Sequence, residues 1–323
     1  MNATSLFSPH DVRPGLPPAR VPWGGVIAYL AIAAVLGWIV CLPLWMGDGL
    51  RDPAFQLYAA GLMYTPTVAA LVVVFASVPK GARARYLGLL PFRPIARKLW
   101  MFALLPVGFL ATGFASFFLA VALGWTSVAD LAPVAAALPP AMNLDAWIAM
   151  QFLLLPLIIL QATVAAFGEE LGWRGYLTTA LSPLGFWPSA VIIGIVWGLW
   201  HAPIILLGYN FQRTDGWGLA LMCGFTFFVG VLLQWTRYVT RSVWPAAVGH
   251  GALNATLPLT LIWTDPETDV ALGTGLGVAG WIVFAVVIAV LLVTRSFRPA
   301  PDWTPKVDVM TPPPAGFSYP PER

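Results

Sequence analysis

Charge is scarce in this chain: only 10% of its 323 residues are Asp, Glu, Lys or Arg, against about a quarter in ordinary soluble domains. A water-facing surface cannot be built from so few charges, so a soluble globular protein is excluded. Cysteine is nearly absent as well. Cys41 and Cys223 both lie in apolar runs, which leaves no disulfide framework and no thiolate metal motif. The net charge of +3 is small and scattered, which excludes a nucleic-acid partner. Residues 1–22 hold five prolines and no continuous apolar core, so no cleavable signal peptide is expected. There is no clear internal repeat of the kind that marks many transporters.

What the chain has instead is apolar length. Hydrophobic residues make up 59% of it, and the mean hydropathy is +0.79. About 20 helical residues cross the hydrocarbon of a bilayer, and eight stretches meet that length: 24–46, 56–78, 99–123, 147–168, 186–207, 217–236, 243–263 and 273–294. Backbone groups must be paired in lipid and the runs do not alternate, so helices are expected rather than a barrel. Many of the 16 tryptophans, among them Trp23, Trp45, Trp100, Trp147, Trp187, Trp217, Trp244 and Trp263, stand near span ends, where indole rings favour the interface.

The expected architecture is an all-α, multi-pass cell-membrane protein. Residues 23–296 form the membrane domain, between a disordered tail at 1–22 and a Pro-rich disordered tail at 297–323. Eight crossings put both termini on one side, together with the 79–98, 169–185 and 237–242 loops. That side receives 15 of the 17 basic residues and the other only Arg51 and Arg213. The positive-inside rule makes the basic side, and both termini, cytoplasmic. The 79–98 loop carries six basic residues among apolar ones. It reads as an ordinary cytoplasmic loop or as one that lies on an anionic leaflet.

Against this background a few polar residues stand out, because ionisable side chains are costly in hydrocarbon. Glu169-Glu170-Leu171-Gly172-Trp173-Arg174 ends the fourth span, Trp197-Gly198-Leu199-Trp200-His201 lies in the fifth, and His250-Gly251-Ala252-Leu253-Asn254 in the seventh. Adjacent helical residues point about 100° apart, so the two glutamates cannot share one role. Glu170 and Arg174 are four apart and expected to pair, leaving Glu169 to face elsewhere. His250 and Asn254, also four apart, share a face, and Gly249, Gly251 and Ala252 would let another helix approach closely. Each motif alone could be an interhelical packing device. Together they supply a base, Glu169, acting on water with His201, and two oxyanion donors, His250 and Asn254, as amide hydrolysis needs. The site should open as a polar cavity toward the cytoplasm.

One condition attaches to this reading. His201 lies about 22 Å into its span, whereas Glu169 is near the end of the fourth. They meet if the fourth helix continues toward residue 180. Ala165 to Leu181 contains no proline, and Leu184-Gly185 supplies a later stop.

These residues resemble the CPBP intramembrane proteases, a family that includes type II CAAX prenyl proteases and bacteriocin-processing or self-immunity proteins. Its pattern is Glu-Glu-x-x-x-Arg, an aromatic residue with His four later, then His-x-x-x-Asn. Glu169-Glu170-x-x-x-Arg174 and His250-x-x-x-Asn254 match in full. The middle motif, usually begun by Phe, has Trp197 before His201, a conservative departure. The resemblance covers about 147–263, with Tyr86-Leu87-Gly88-Leu89 a softer match upstream. It implies a multi-helical membrane fold with Glu169, His201, His250 and Asn254 around a cytoplasm-facing cavity, supported by Glu170 and Arg174. It implies cleavage of a hydrophobic or lipidated, CAAX-like peptide or protein at the membrane, with lipid as the surrounding partner. The family is often labelled metalloprotease, and glutamate-activated water without metal is also proposed for it. No His-Glu-x-x-His pair is present, so no obligatory cofactor is expected; if zinc is bound, Glu169, His201 and His250 are the ligands. A non-catalytic immunity or scaffold protein of the same fold, and then a transporter, are the competing readings. Oligomeric state is not encoded in any motif.

Overall fold

The structure is a computed structural model that describes residues 17–90 and 95–297. Most of the two expected disordered tails, the Pro-rich stretch included, and the basic residues Arg13, Arg93, Arg298, Lys306 and Arg323 lie outside the described residues. The fold is all-α. Its helices are α1 (Trp23–Met46), α2 (Phe55–Ser77), α3 (Arg83–Tyr86), α4 (Ile95–Ala122), α5 (Ala132–Ala137), α6 (Leu144–Glu170), α7 (Thr178–Leu181), α8 (Phe186–Trp200), α9 (Ala202–Ile205), α10 (Gly216–Thr240), α11 (Val243–Thr256), α12 (Val270–Gly273) and α13 (Val278–Val293).

Among the described residues, six helical stretches are long and apolar enough to cross a membrane. They correspond to six of the eight expected spans, and the chain is accordingly a multi-pass membrane protein. The other two, α8 and α11, are helices of 15 and 14 residues. Both end early where the motifs sit: α8 stops at His201, before Pro203, and α11 gives way to a 3₁₀ turn at Pro258–Ile262. Proline removes a backbone donor and clashes with the preceding turn, which is why neither run stays one helix.

Local chemistry sets the starts. The Asn143 side chain accepts a hydrogen bond from the Ala146 amide at 2.8 Å, capping α6, and Asp215 accepts from the Trp217 and Gly218 amides at 3.1 and 3.2 Å, capping α10. The long fourth helix is present. The helical run continues without interruption over Leu144–Leu184, 41 residues, and stops at Gly185 with φ +82°. Its two halves face different surroundings. Leu153, Leu157, Leu160 and Val164 form one exposed apolar stripe suited to lipid, whereas every residue from 168 to 182 is buried.

That buried half contains a π-helical segment, Leu171–Leu177. Widening a helix by one residue frees backbone acceptors, and side chains take them up here. The Thr178 hydroxyl donates to the Trp173 carbonyl at 3.0 Å, and the Arg237 Nε–H of α10 donates to the Arg174 carbonyl at 2.9 Å. Arg174 and Arg237, assigned from the sequence to cytoplasmic loops, are both buried inside the bundle. Burial becomes tolerable where hydrogen bonds and an ion pair replace water.

Small residues bring α8 and α11 into place. A Cβ on Gly198 would lie 2.5 Å from the Cys223 Cα of α10, and one on Gly251 would lie 2.5 Å from the Thr163 amide nitrogen of α6. The close approach expected beside His250 is therefore made by α6. With the shorter α8 and α11 counted, successive helices alternate in direction. At one end, Tyr86 O accepts from the Thr179 hydroxyl and Gly88 O from the Val243 amide. At the other, the Trp45 indole donates to Pro203 O and the 125–130 connection pairs with 263–265.

Candidate active site

Glu169 and Glu170 stand at the last turn of α6, immediately before the π segment. Their side chains diverge. Glu170 is fully buried, and its Oε1 accepts from Arg174 Nη1 at 2.7 Å and from His250 Nδ1 at 2.9 Å. The expected pair is thus present, and it is extended to the histidine of α11. Glu169 points the other way, where its Oε2 accepts from the indole Nε1 of Trp197 at 2.7 Å. Its other oxygen, Oε1, accepts no hydrogen bond among the described residues, and the residue lines a cavity of about 250 Å³.

His201, His250 and Asn254 line that same cavity. His201 sits between α8 and α9 rather than within a span-length helix, and its Nδ1 lies 2.8 Å from the Trp197 carbonyl. A carbonyl only accepts, so Nδ1 carries the proton and Nε2 of the neutral ring presents a lone pair. His250 is fixed likewise, its Nδ1–H donating to the Glu170 carboxylate. It can then donate from Nε2 only as imidazolium, while the Asn254 amide donates in any state. Asn254 is the one exposed member of the four.

Three lining residues with polar side-chain groups were not singled out from the sequence. Trp200 packs its ring 4.7 Å from that of His201 and donates to Thr65 Oγ1 at 3.1 Å. Tyr209 and Asn210 come from the connection after α9, where Gly208, Asn210 and Gln212 all have positive φ. Burial, and then the nearby Glu169 charge, raise the Tyr209 hydroxyl above its ordinary pKa, which keeps it a neutral phenol. The signal available in sequence was the Gly208-Tyr209-Asn210 turn directly behind His201-Ala202-Pro203.

Among the described residues no three His, Cys, Asp or Glu side chains are gathered closely enough to hold one ion. Glu169, His201 and His250 share the cavity, and with Glu169 Oε2 and both Nδ1 atoms bonded to protein, an ion held there would have to be bound by Glu169 Oε1 and the two Nε2 atoms.

The side to which the cavity extends differs from expectation. Its remaining wall comes from Ala59, Leu62 and Met63 near the start of α2, Met222 and Phe225 near the start of α10, and from Pro258 and Leu276. These belong to the end of the bundle opposite the basic loops. The buried π segment, Arg237 and the Tyr86–Gly88 turn close the basic end.

The comparisons with known proteins fall on this same region. A family model described as "Type II CAAX prenyl endopeptidase Rce1-like" matches residues 151–256, a stretch that holds Glu169, Glu170, Arg174, His201, His250 and Asn254. The chain is similar to the CAAX prenyl protease 2 of Methanococcus maripaludis, with 29% identity over 144 residues. That alignment covers 42% of this chain and 49% of the relative, so the chain spans about half the length of the curated relative it matches. Residues 151–256, which contain the whole of the cavity's polar cluster, are thus similar to the Rce1-like type II CAAX prenyl endopeptidases.

Proposed function

We propose that the protein is an intramembrane endopeptidase that hydrolyses a peptide bond in a membrane-associated substrate, hydrophobic or lipidated and CAAX-like. The observation that carries this reading is the convergence of Glu169, His201, His250 and Asn254 on one cavity. Water held between Glu169 Oε1 and His201 Nε2 loses a proton to the carboxylate and attacks the carbonyl carbon. The oxyanion accepts hydrogen bonds from Asn254 and from His250 as imidazolium, with Glu170 opposite its charge. Collapse breaks the C–N bond, and the proton on Glu169 passes to the leaving amine. Removing one oxyanion donor costs roughly 10²–10³ in kcat in soluble hydrolases. Asn254→Ala is expected to lose that much with KM within a few-fold, measured on a hydrophobic peptide in proteoliposomes. Unchanged kcat would remove Asn254 from the mechanism.

In the topology we favour, α8 and α11 complete eight crossings, each shortened by the motif at its end, and both termini and the basic loops are cytoplasmic. The cavity then extends away from the cytoplasm, and substrate enters from the bilayer or the far face. A cysteine-free background carrying Asn210→Cys should react with a membrane-impermeant maleimide in right-side-out vesicles, whereas Arg85→Cys should not. The reverse labelling pattern would invert this orientation.

A further inference from the structure

We propose that Trp197 is a positioning residue for Glu169, its indole N–H fixing which carboxylate oxygen faces the cavity. The inference rests on the assignment of Glu169 as the base. The family pattern usually carries Phe at this place in the motif, and a phenyl ring has no donor to offer.

Trp197 touches four of the polar groups that build the site. Its Nε1–H donates to Glu169 Oε2 at 2.7 Å, and the Arg174 guanidinium lies 4.3 Å over its ring. The His250 ring meets it edge to face at 5.2 Å, and its own carbonyl accepts the Nδ1–H of His201. The side chain is 1% exposed. Held by Arg174 on the ring and by helix α8 through its backbone, it has no room to turn.

An indole nitrogen donates and never accepts. Oε2 is therefore occupied by a hydrogen bond that takes no part in proton transfer, and the proton traffic of Glu169 is confined to Oε1. The bond is charge-assisted when the carboxylate is ionised, so it favours the basic form in the position where water must be met. Without it, the carboxylate could rotate about its terminal torsion, a broad and soft degree of freedom. Loss of the N–H should therefore slow the chemical step without weakening substrate binding.

The test replaces Trp197 in the full-length protein with β-(3-benzothienyl)alanine, which keeps the bicyclic ring and puts sulfur where the N–H stood. Trp197→Phe serves as a second variant. In proteoliposomes with a hydrophobic peptide, kcat of the analogue is expected to fall about 10- to 100-fold with KM within two-fold. Its thermal midpoint in detergent should stay within a few degrees of the parent. Wild-type kcat in the analogue overturns the proposal, as does a loss that appears wholly in KM or in stability. Either leaves the protease reading standing, provided the parent turns over and Glu169→Gln does not. Absence of turnover in the parent overturns both.

Discussion

Glu169→Gln is expected to reduce peptide hydrolysis by about 10²–10⁴-fold, the range that a positioned general base contributes, while the protein remains folded. The amide oxygen of glutamine can still accept from the Trp197 indole, which holds Glu169 Oε2 at 2.7 Å. The substitution thus keeps the shape and the hydrogen bond and removes only the ability to take a proton. Alanine would be a blunter instrument, since it would leave the Trp197 N–H unpaired in a buried place, at a cost of its own. Initial rates at saturating peptide, with the thermal midpoint measured in the same detergent, separate chemistry from folding. A Glu169→Gln variant that turns over at the parent rate would remove Glu169 as the base.

The largest effect on stability is expected at Arg174. Its side chain is fully buried, bonded to Glu170 Oε1 at 2.7 Å and laid over Trp197. Arg174→Ala strands the Glu170 carboxylate inside the bundle with His250 as its one remaining hydrogen-bond partner among the described residues. Breaking a buried pair on one side costs roughly 3–5 kcal/mol, enough to show as a large fall in the thermal midpoint. Removing both charges is different. Glu170→Leu combined with Arg174→Met should recover much of the stability, because apolar replacement of a buried pair is often neutral or better. The double variant should still be slow, because His250 loses the carboxylate that orients its ring. Equal midpoints for Arg174→Ala and the parent would show that the pair contributes nothing to the fold.

These two expectations depend on features of unequal legibility. The Glu170–Arg174 pair follows from i, i+4 spacing alone, and the lengthened fourth helix from the absence of proline between Ala165 and Leu181. Its necessity was geometric, since Glu169 had to reach the depth of His201. The π segment was not legible. Whether residues 171–177 widen depends on who accepts and donates around them, and Arg237 arrives from α10, over sixty residues away. In sequence Arg237 was simply one more cytoplasmic charge. Trp197 looked like a conservative aromatic, because hydrophobicity and ring size are what a pattern compares; the direction of one N–H is not.

The span count shows a further limit. Hydropathy treats 186–207 and 243–263 as span-length runs, yet the helices there stop at Trp200 and Thr256. The residues that stop them, Pro203 and Pro258 and the turns about them, also line or flank the cavity. The same irregularity that makes room for polar side chains shortens the helices. Charge counting located the basic end of the bundle from sequence, but not the end toward which the cavity lies. That requires knowing which turn of each helix contributes a wall, and Met63, Met222 and Leu276 carry no such signal in their types.

The most direct measurement is a single-turnover cleavage in H₂¹⁸O, enzyme in excess over a hydrophobic peptide, run on the parent and on Glu169→Gln in parallel vesicles. If Glu169 activates water, the parent yields a new carboxyl terminus carrying one ¹⁸O, and Glu169→Gln yields almost none in the same time. Intact peptide with the parent protein, or an equal yield of labelled product from Glu169→Gln, would contradict the account.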